Sequence, residues 1–337
     1  MPAPMTTTRA MCARFASIAV DRRRSHVYII LQLTVTSGTY NYKKRGLCVD
    51  AMTRIDRSLS QALSMAQGSE MPPLLNSAMR YAVFPGGARI RPRLSLAVAR
   101  ACADDKPTVS AAAAAAIEML HCASLVHDDL PCFDDAALRR GRASVHKAFG
   151  ERIAVLAGDA LIVLAFQWLA KSAESCPQRL GPLTMIIARS VGGPSGIIAG
   201  QAWECEQECN LADYQRAKTG SLFAASTAAG ACAAGYDSSR WHELGERIGE
   251  AYQIADDIRD VMSTESELGK PIGRDQALGR PNAVHRLGIG ASVERLEQLV
   301  RAAIESIPAC PGAADLRTHI LAEANRLLPR ELARPAA

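Results

Sequence analysis

Apolar positions recur along this chain with helical spacing over most of its length. Beyond Met52, residues Ile55, Leu59, Leu63 and Met65 fall on one side of a predicted helix. Residues 111–130 open with six alanines and carry Ile117, Leu120, Ser124 and Val126 toward a core, which predicts a long helix. Residues 241–262, with no internal proline, predict another. Breaks are expected at Pro72-Pro73, Pro85-Gly86-Gly87, Gly181-Pro182 and Gly192-Gly193-Pro194. No segment sustains the alternation of a half-buried strand, and no repeat of fixed period occurs. The pattern predicts one large all-α domain.

Composition supports that reading. Hydrophobic residues make up 48% of the 337, yet aromatics only 5%, so the core must be built from Ala, Leu, Ile and Val. Alanine and leucine favour helix, whereas strands draw on aromatic and β-branched residues. Residues 1–51 stand apart as a basic extension, and 52–337 form the predicted domain. The extension holds eight Arg and Lys against Asp21 and Asp50, a net of +6 that leaves the rest of the chain at −1 against the whole-chain +5. The domain therefore carries no clustered basic face of the kind nucleic acid requires. The first twenty residues, free of acids, superficially suit a transit peptide, and a true start at Met52 is the preferred alternative. The longest apolar run of the extension, Val27 to Val35 with Gln32 inside it, is too short to span a bilayer, and no transmembrane segment is expected. Ten cysteines show no metal-type framework. Cys205 and Cys209, four apart, would share a helix face without further partners, so the cysteines read as reduced core thiols of a cytoplasmic protein.

Two aspartate clusters change the picture. Asp128, Asp129, Asp134 and Asp135 lie within eight residues at the C-terminal end of the alanine-rich helix. Carboxylates there oppose the helix dipole, at a cost of a few tenths to ~1 kcal/mol each. They also repel one another, and a cation would relieve both effects. The second cluster is Asp256, Asp257 and Asp260, in which Asp256 and Asp260 share a helix face at i and i+4. Oxygen-only ligands suit a hard ion, and Mg²⁺ is commonly shared between protein carboxylates and substrate phosphates. Either cluster alone would more often be a solvated charged face; two of them in otherwise apolar helices point to a metal-bridged diphosphate.

The stretch from Ser124 through His127-Asp128-Asp129 to Arg139-Arg140-Gly141 resembles the first aspartate-rich motif of the polyprenyl synthetase family, and Gln253 to Asp260 resembles the second. Gly86 to Pro92, Glu118 to His121, Lys218-Thr219-Gly220 and Leu268-Gly269-Lys270 match further motifs in the same order. The resemblance spans about residues 55–290. It implies a single helical bundle with a deep central cavity, the isoprenoid synthase fold, and a homodimer. It also implies a Mg²⁺-dependent prenyltransferase that joins isopentenyl diphosphate to allylic diphosphates. Asp128, Asp129, Asp134, Asp256, Asp257 and Asp260 would hold metal. Arg139, Lys218, Thr219, Gln253 and Lys270 would contact the allylic diphosphate. Arg91, His121 and Arg140 would bind isopentenyl diphosphate, which needs no metal in this family. One position departs from the family pattern: Ala88 stands where a lysine is usual, so a cationic contact is missing unless Arg89 swings in.

The implied reaction ionises the allylic diphosphate, and the double bond of isopentenyl diphosphate captures the carbocation. Product length would follow the floor of the cavity. Ser124 lies one turn and Ala123 five residues before Asp128, ~7.5 Å down the helix. In family members that stop at fifteen carbons an aromatic tends to stand there, and here both residues are small. Together with Gly279-Arg-Pro-Asn-Ala283, whose wording is similar to geranylgeranyl synthases of carotenoid-making bacteria, this favours a geranylgeranyl over a farnesyl product. Phe166, Trp168 or a neighbouring subunit could supply another floor. A terpene cyclase would be expected to replace the second cluster and lack Arg91 and His121. A non-catalytic partner subunit would be expected to have lost metal ligands, and both clusters are present.

Overall fold

The computed structural model describes residues 44–68, 70–208, 210–262 and 282–327. The architecture is built almost entirely of helices. Four of them come first: α1 (Lys44–Met65), α2 (Pro73–Val83), α3 (Ile90–Ala101) and α4 (Pro107–Asp128). A short antiparallel hairpin follows, β1 (Leu138–Arg139) and β2 (Arg142–Ala143), pairing Leu138 with Ala143 and Arg139 with Arg142. Then come α5 (Val145–Phe149), α6 (Glu151–Ser172), α7 (Pro177–Val191), α8 (Ile197–Trp203) and α9 (Leu211–Gln215). A π turn at Arg216–Gly220 joins α9 to α10 (Ser221–Ala233). The series ends with α11 (His242–Met262), α12 (Ala283–Leu287), α13 (Ile289–Glu305) and α14 (Ala313–Leu327).

Two helices form the centre. In α10 every residue from Leu222 to Ala233 is buried. Alanine, glycine and serine make up most of it, so α3, α4, α7 and α11 can all pack against its backbone. The alanine-rich α4 is buried along most of its length and packs against α1, α2, α3, α6 and α10. A helix so surrounded needs small side chains on every face, which explains why α4 opens as a run of alanines. Ile117, Leu120 and Val126 enter this core with Leu161, Leu164 and Leu169 of α6. A second apolar cluster joins α3, α10, α11, α13 and α14 around Phe223, Trp241 and Leu244.

Prolines begin α2, α4 and α7 at the first helical position, where a missing N–H costs nothing. Gly192-Gly193-Pro194 does end α7, but Gly181-Pro182 is no break. Pro182 lies inside α7, in its second turn, where only one hydrogen bond to the helix start is lost. Met52 falls within α1, which begins at Lys44. Cys205 lies beyond the end of α8 at Trp203 and is exposed, as is Cys132, so neither is a core thiol and Cys205 has no helix face to share. The two-residue strands were too short for any alternating pattern to reveal. Both α4 and α6 are long and apolar enough to cross a membrane by composition alone, with mean hydropathy 1.6 and 2.0. Helix α4 is 83% buried in the core, whereas α6 is only 39% buried.

Candidate active site

The first aspartate cluster is shaped by the way α4 ends. The chain turns back on itself, and the amide of Asp134 donates to the Asp128 carbonyl at 3.0 Å while that of Ala136 donates to Asp129 at 3.1 Å. Carbonyls that would be orphaned at the helix end are thereby satisfied, and the backbone of Asp134 is brought against Asp128. The hairpin then carries Arg139 back to the same spot. Arg139 Nε donates to both carboxylate oxygens of Asp129, at 3.0 and 3.2 Å, and its guanidinium lies 3.9 Å from Asp128. Asp129 is buried, which pushes its carboxyl up, and Arg139 opposes that shift. The fourth aspartate points elsewhere: Asp135 is exposed and pairs with Lys147 at 3.0 Å and His146 at 3.4 Å.

Asp128 faces α8 and the π turn. Gln201 donates a short hydrogen bond to its Oδ1, and Lys218 Nζ lies 3.6 Å from the same oxygen. Lys218 is held more closely by Glu204, at 2.6 Å, and the Tyr214 hydroxyl donates to that glutamate. The next residue reaches the opposite way. Thr219 Oγ1 donates to Gln253 at 3.2 Å, and Gln253 Nε2 donates to Asp257 at 3.0 Å. The widened turn, whose Ser221 amide returns five residues to the Arg216 carbonyl, thus touches both aspartate clusters with adjacent side chains.

In the second cluster, Asp257 is buried and also accepts from the Ala283 amide at 2.7 Å. Asp256 pairs with Arg259 at 2.7 Å, and Asp260 lies one turn further along α11. Lys270 falls outside the described residues. Among the described residues no three carboxylate, imidazole or thiol groups converge into a closed metal site. The donors are oxygens alone, and an ion shared with substrate phosphates needs only one or two carboxylates from each side.

A basic cluster lies two turns before Asp128 on α4. Arg91 Nη1 sits 3.4 Å from His121 Nε2, and its guanidinium stacks on Phe223 at 4.5 Å. Burial lowers the Arg91 guanidinium from its ordinary value. His121 falls well below the usual imidazole range through burial and the neighbouring Arg91, Arg140 and Arg139, so it is neutral at pH 7. Arg140, in a left-handed conformation at the hairpin turn, lies over Gly87, where a Cβ would come within 2.9 Å of its guanidinium. Gly86, Cys122, Asp129, Arg139 and Arg140 line one concavity. Arg91 and His121 are in contact, and Arg140 is near enough for its charge to act on both. The structure does not bring in Arg89 as a replacement for the missing lysine, since that side chain is buried and bonded to Glu118, while Ala88 is exposed.

Ala123 is buried in the main core, and Ser124 is half-buried with its hydroxyl returned to the His121 carbonyl at 2.8 Å. Trp168 donates to Ser58 of α1 at 2.9 Å, which fixes it between α1 and α6. Gln201, Glu204 and Tyr214 were not found from sequence. Their one signal was a polar pair three residues apart, Gln201 and Glu204, at the end of a short apolar helix.

Comparison with known proteins agrees with this architecture and its motifs. A model of the family described as Polyprenyl synthetase matches residues 72–314. A geranylgeranyl diphosphate synthase of Cereibacter sphaeroides is 52% identical over 280 residues, covering 83% of this chain and 97% of that protein. One from Rhodobacter capsulatus is 50% identical over 275 residues, covering 82% and 95%. Among solved structures, a geranyltransferase from Helicobacter pylori complexed with magnesium and isoprenyl diphosphate superposes with a TM-score of 0.71 at 30% identity, covering 83% of this chain and 98% of that one. Motif order, helical architecture and identity over most of the length agree, and the chain belongs to the polyprenyl synthetase family.

Proposed function

We propose that this protein is a Mg²⁺-dependent prenyltransferase that condenses isopentenyl diphosphate with allylic diphosphates to make geranylgeranyl diphosphate. The observation that carries the reading is the separation of two anion sites along α4. At its C-terminal end Asp128 meets Lys218 and Arg139. Two turns earlier, His121 meets Arg91 and feels the charge of Arg140. Two diphosphates held there would present their hydrocarbon ends to the apolar interior of the bundle.

Asp128, Asp134, Asp256 and Asp260 are the carboxylates suited to Mg²⁺, with Asp129 and Asp257 beside them; bound metal would supply positive charge to the departing diphosphate. Lys218 and Arg139 add fixed cations to the same leaving group, and Lys270 belongs with them by motif. Thr219 and Gln253 hold the π turn against α11. Arg91, Arg140 and neutral His121 bind and orient isopentenyl diphosphate. Small residues at Ala123 and Ser124 leave room for a chain longer than fifteen carbons. The seven cysteines whose side chains the structure describes carry free thiols, a state that a reducing cytoplasm would preserve. The exposed apolar stripe Val155, Leu156 and Val163 on α6 supports a homodimer that covers it.

The test is product analysis by mass spectrometry, with isopentenyl diphosphate and each allylic primer, in Mg²⁺ or in EDTA. A Mg²⁺-dependent twenty-carbon product is expected. Asp128→Ala and Asp256→Ala should each lower kcat/KM by about 10²-fold or more, the scale for lost electrostatic stabilisation of developing charge. Turnover unchanged in both variants would overturn the metal-bridged diphosphate.

A further inference from the structure

The two helices that carry Arg91 and His121 are joined a second time by a buried ion pair. Arg89 precedes Arg91 by two residues, and Glu118 precedes His121 by one helical turn. Their side chains are 0% and 2% exposed, and Arg89 Nη1 donates to Glu118 Oε1 at 2.6 Å. Arg89 Nη2 donates to the carbonyl of Val83, the last residue of α2, at 2.8 Å, and lies 3.5 Å from Asp56 of α1. One guanidinium thus ties α1, α2 and α4 to the start of α3.

The glycine loop is built around that guanidinium. Arg89 itself takes a left-handed backbone with φ 53°, a conformation that persists in a non-glycine residue only when its surroundings enforce it. Gly86 has φ 83°, and a Cβ there would lie 2.4 Å from the Arg89 guanidinium carbon. Stability does not account for such a pair. Apolar residues of similar volume often replace a buried ion pair without loss, whereas removing one partner strands a charge. What the pair does supply is a fixed register between the two elements whose next polar residues are Arg91 and His121.

We propose that Arg89 and Glu118 are positioning residues for the isopentenyl diphosphate site. They hold α3 against α4 so that Arg91 and His121 reach one diphosphate beneath Arg140. This rests on the assignment of Arg91, His121 and Arg140 to isopentenyl diphosphate made above. With Ala88 in the loop, affinity there depends on the placement of those three groups alone.

Steady-state kinetics on full-length protein tests it, varying each substrate at saturation of the other. Glu118→Gln breaks the pair. The double substitution Arg89→Met with Glu118→Met removes both charges together, so it also serves if the single variant does not fold. Melting curves establish that each variant is folded. Both should raise KM for isopentenyl diphosphate about tenfold or more, the scale of an ångström-level misplacement, while KM for the allylic primer stays within about twofold. A merely structural pair would lower the melting temperature and the active fraction without separating the two KM values, and that result would overturn the proposal. Arg91→Ala is the reference. If it leaves KM for isopentenyl diphosphate unchanged, the site assignment itself fails. If it raises that KM and the pair variants do not, only the positioning role fails.

Discussion

His121 is an imidazole set among four guanidiniums, and its protonation is coupled to folding. Burial lowers it first, with Arg91, Arg140 and Arg139 adding to the shift. Below the ordinary value of 6.5 the unfolded chain takes up a proton that the folded protein refuses. Stability linked to neutral His121 is therefore complete above that pH and is lost as pH falls toward the depressed folded value. The loss is at most about 1.4 kcal/mol per pH unit for one group. Melting temperatures measured from pH 7 to pH 5 should fall less steeply in His121→Gln than in the unchanged protein. His319, also lowered by burial, contributes equally to both and cancels in the comparison. Parallel curves would mean that His121 titrates as a solvated imidazole. At this scale the aspartate clusters stood out in the sequence by residue type and spacing, whereas Arg91, Arg139 and Arg140 were singled out only through the family resemblance. Glu204 was found by neither route, because nothing local distinguishes a glutamate that grips a lysine fourteen positions away from one in solvent.

Among the elements, α4 combines core helix and cavity wall and carries the first aspartate cluster at its end, and its alanine run made it readable at once. Its boundaries in the structure, Pro107–Asp128, overlap the predicted 111–130 closely, and α11 matches 241–262 within one residue. Where local rules misled, position within the helix was the reason. A proline in the second turn of α7 removes one hydrogen bond and leaves the helix intact, so Gly181-Pro182 carried a false signal of a break. The level of Ala123 on α4 gives a direct test of product length. Ala123→Phe should shift the product from twenty toward fifteen carbons, read by mass spectrometry. Because Ala123 is buried, overpacking should cost about 1–3 kcal/mol and lower the melting temperature by several degrees. A folded variant that still makes the twenty-carbon product would place the floor elsewhere.

For the whole molecule, the unresolved balance is on α6. Its hydropathy rivals a membrane span, yet only 39% of the window is buried, and Leu156 and Val163 are 50% and 56% exposed. Seven residues apart, they project from nearly the same side of the helix. The homodimer proposed above would cover that stripe. Leu156→Glu with Val163→Lys should then shift the particle from dimer to monomer by size-exclusion with light scattering, with secondary structure unchanged. A particle of unchanged mass would show that this face lies outside the subunit contact. The pattern of apolar positions announced the bundle but could not rank its faces. Burial of α6 depends on what lies opposite each turn, and periodicity within one helix contains no such information.

The π turn has a consequence for how the chain can change over time. Arg216–Gly220 holds one residue more than a regular turn requires, and α10 continues beyond it buried on all sides. Loss of a single residue there would let the helix rewind normally while the packing of α10 stays in place. Lys218 would then be carried about 100° around the axis, away from Asp128. One codon deleted at this point would thus separate the scaffold from its chemistry, leaving a bundle that folds and the two proposed diphosphate sites no longer in register.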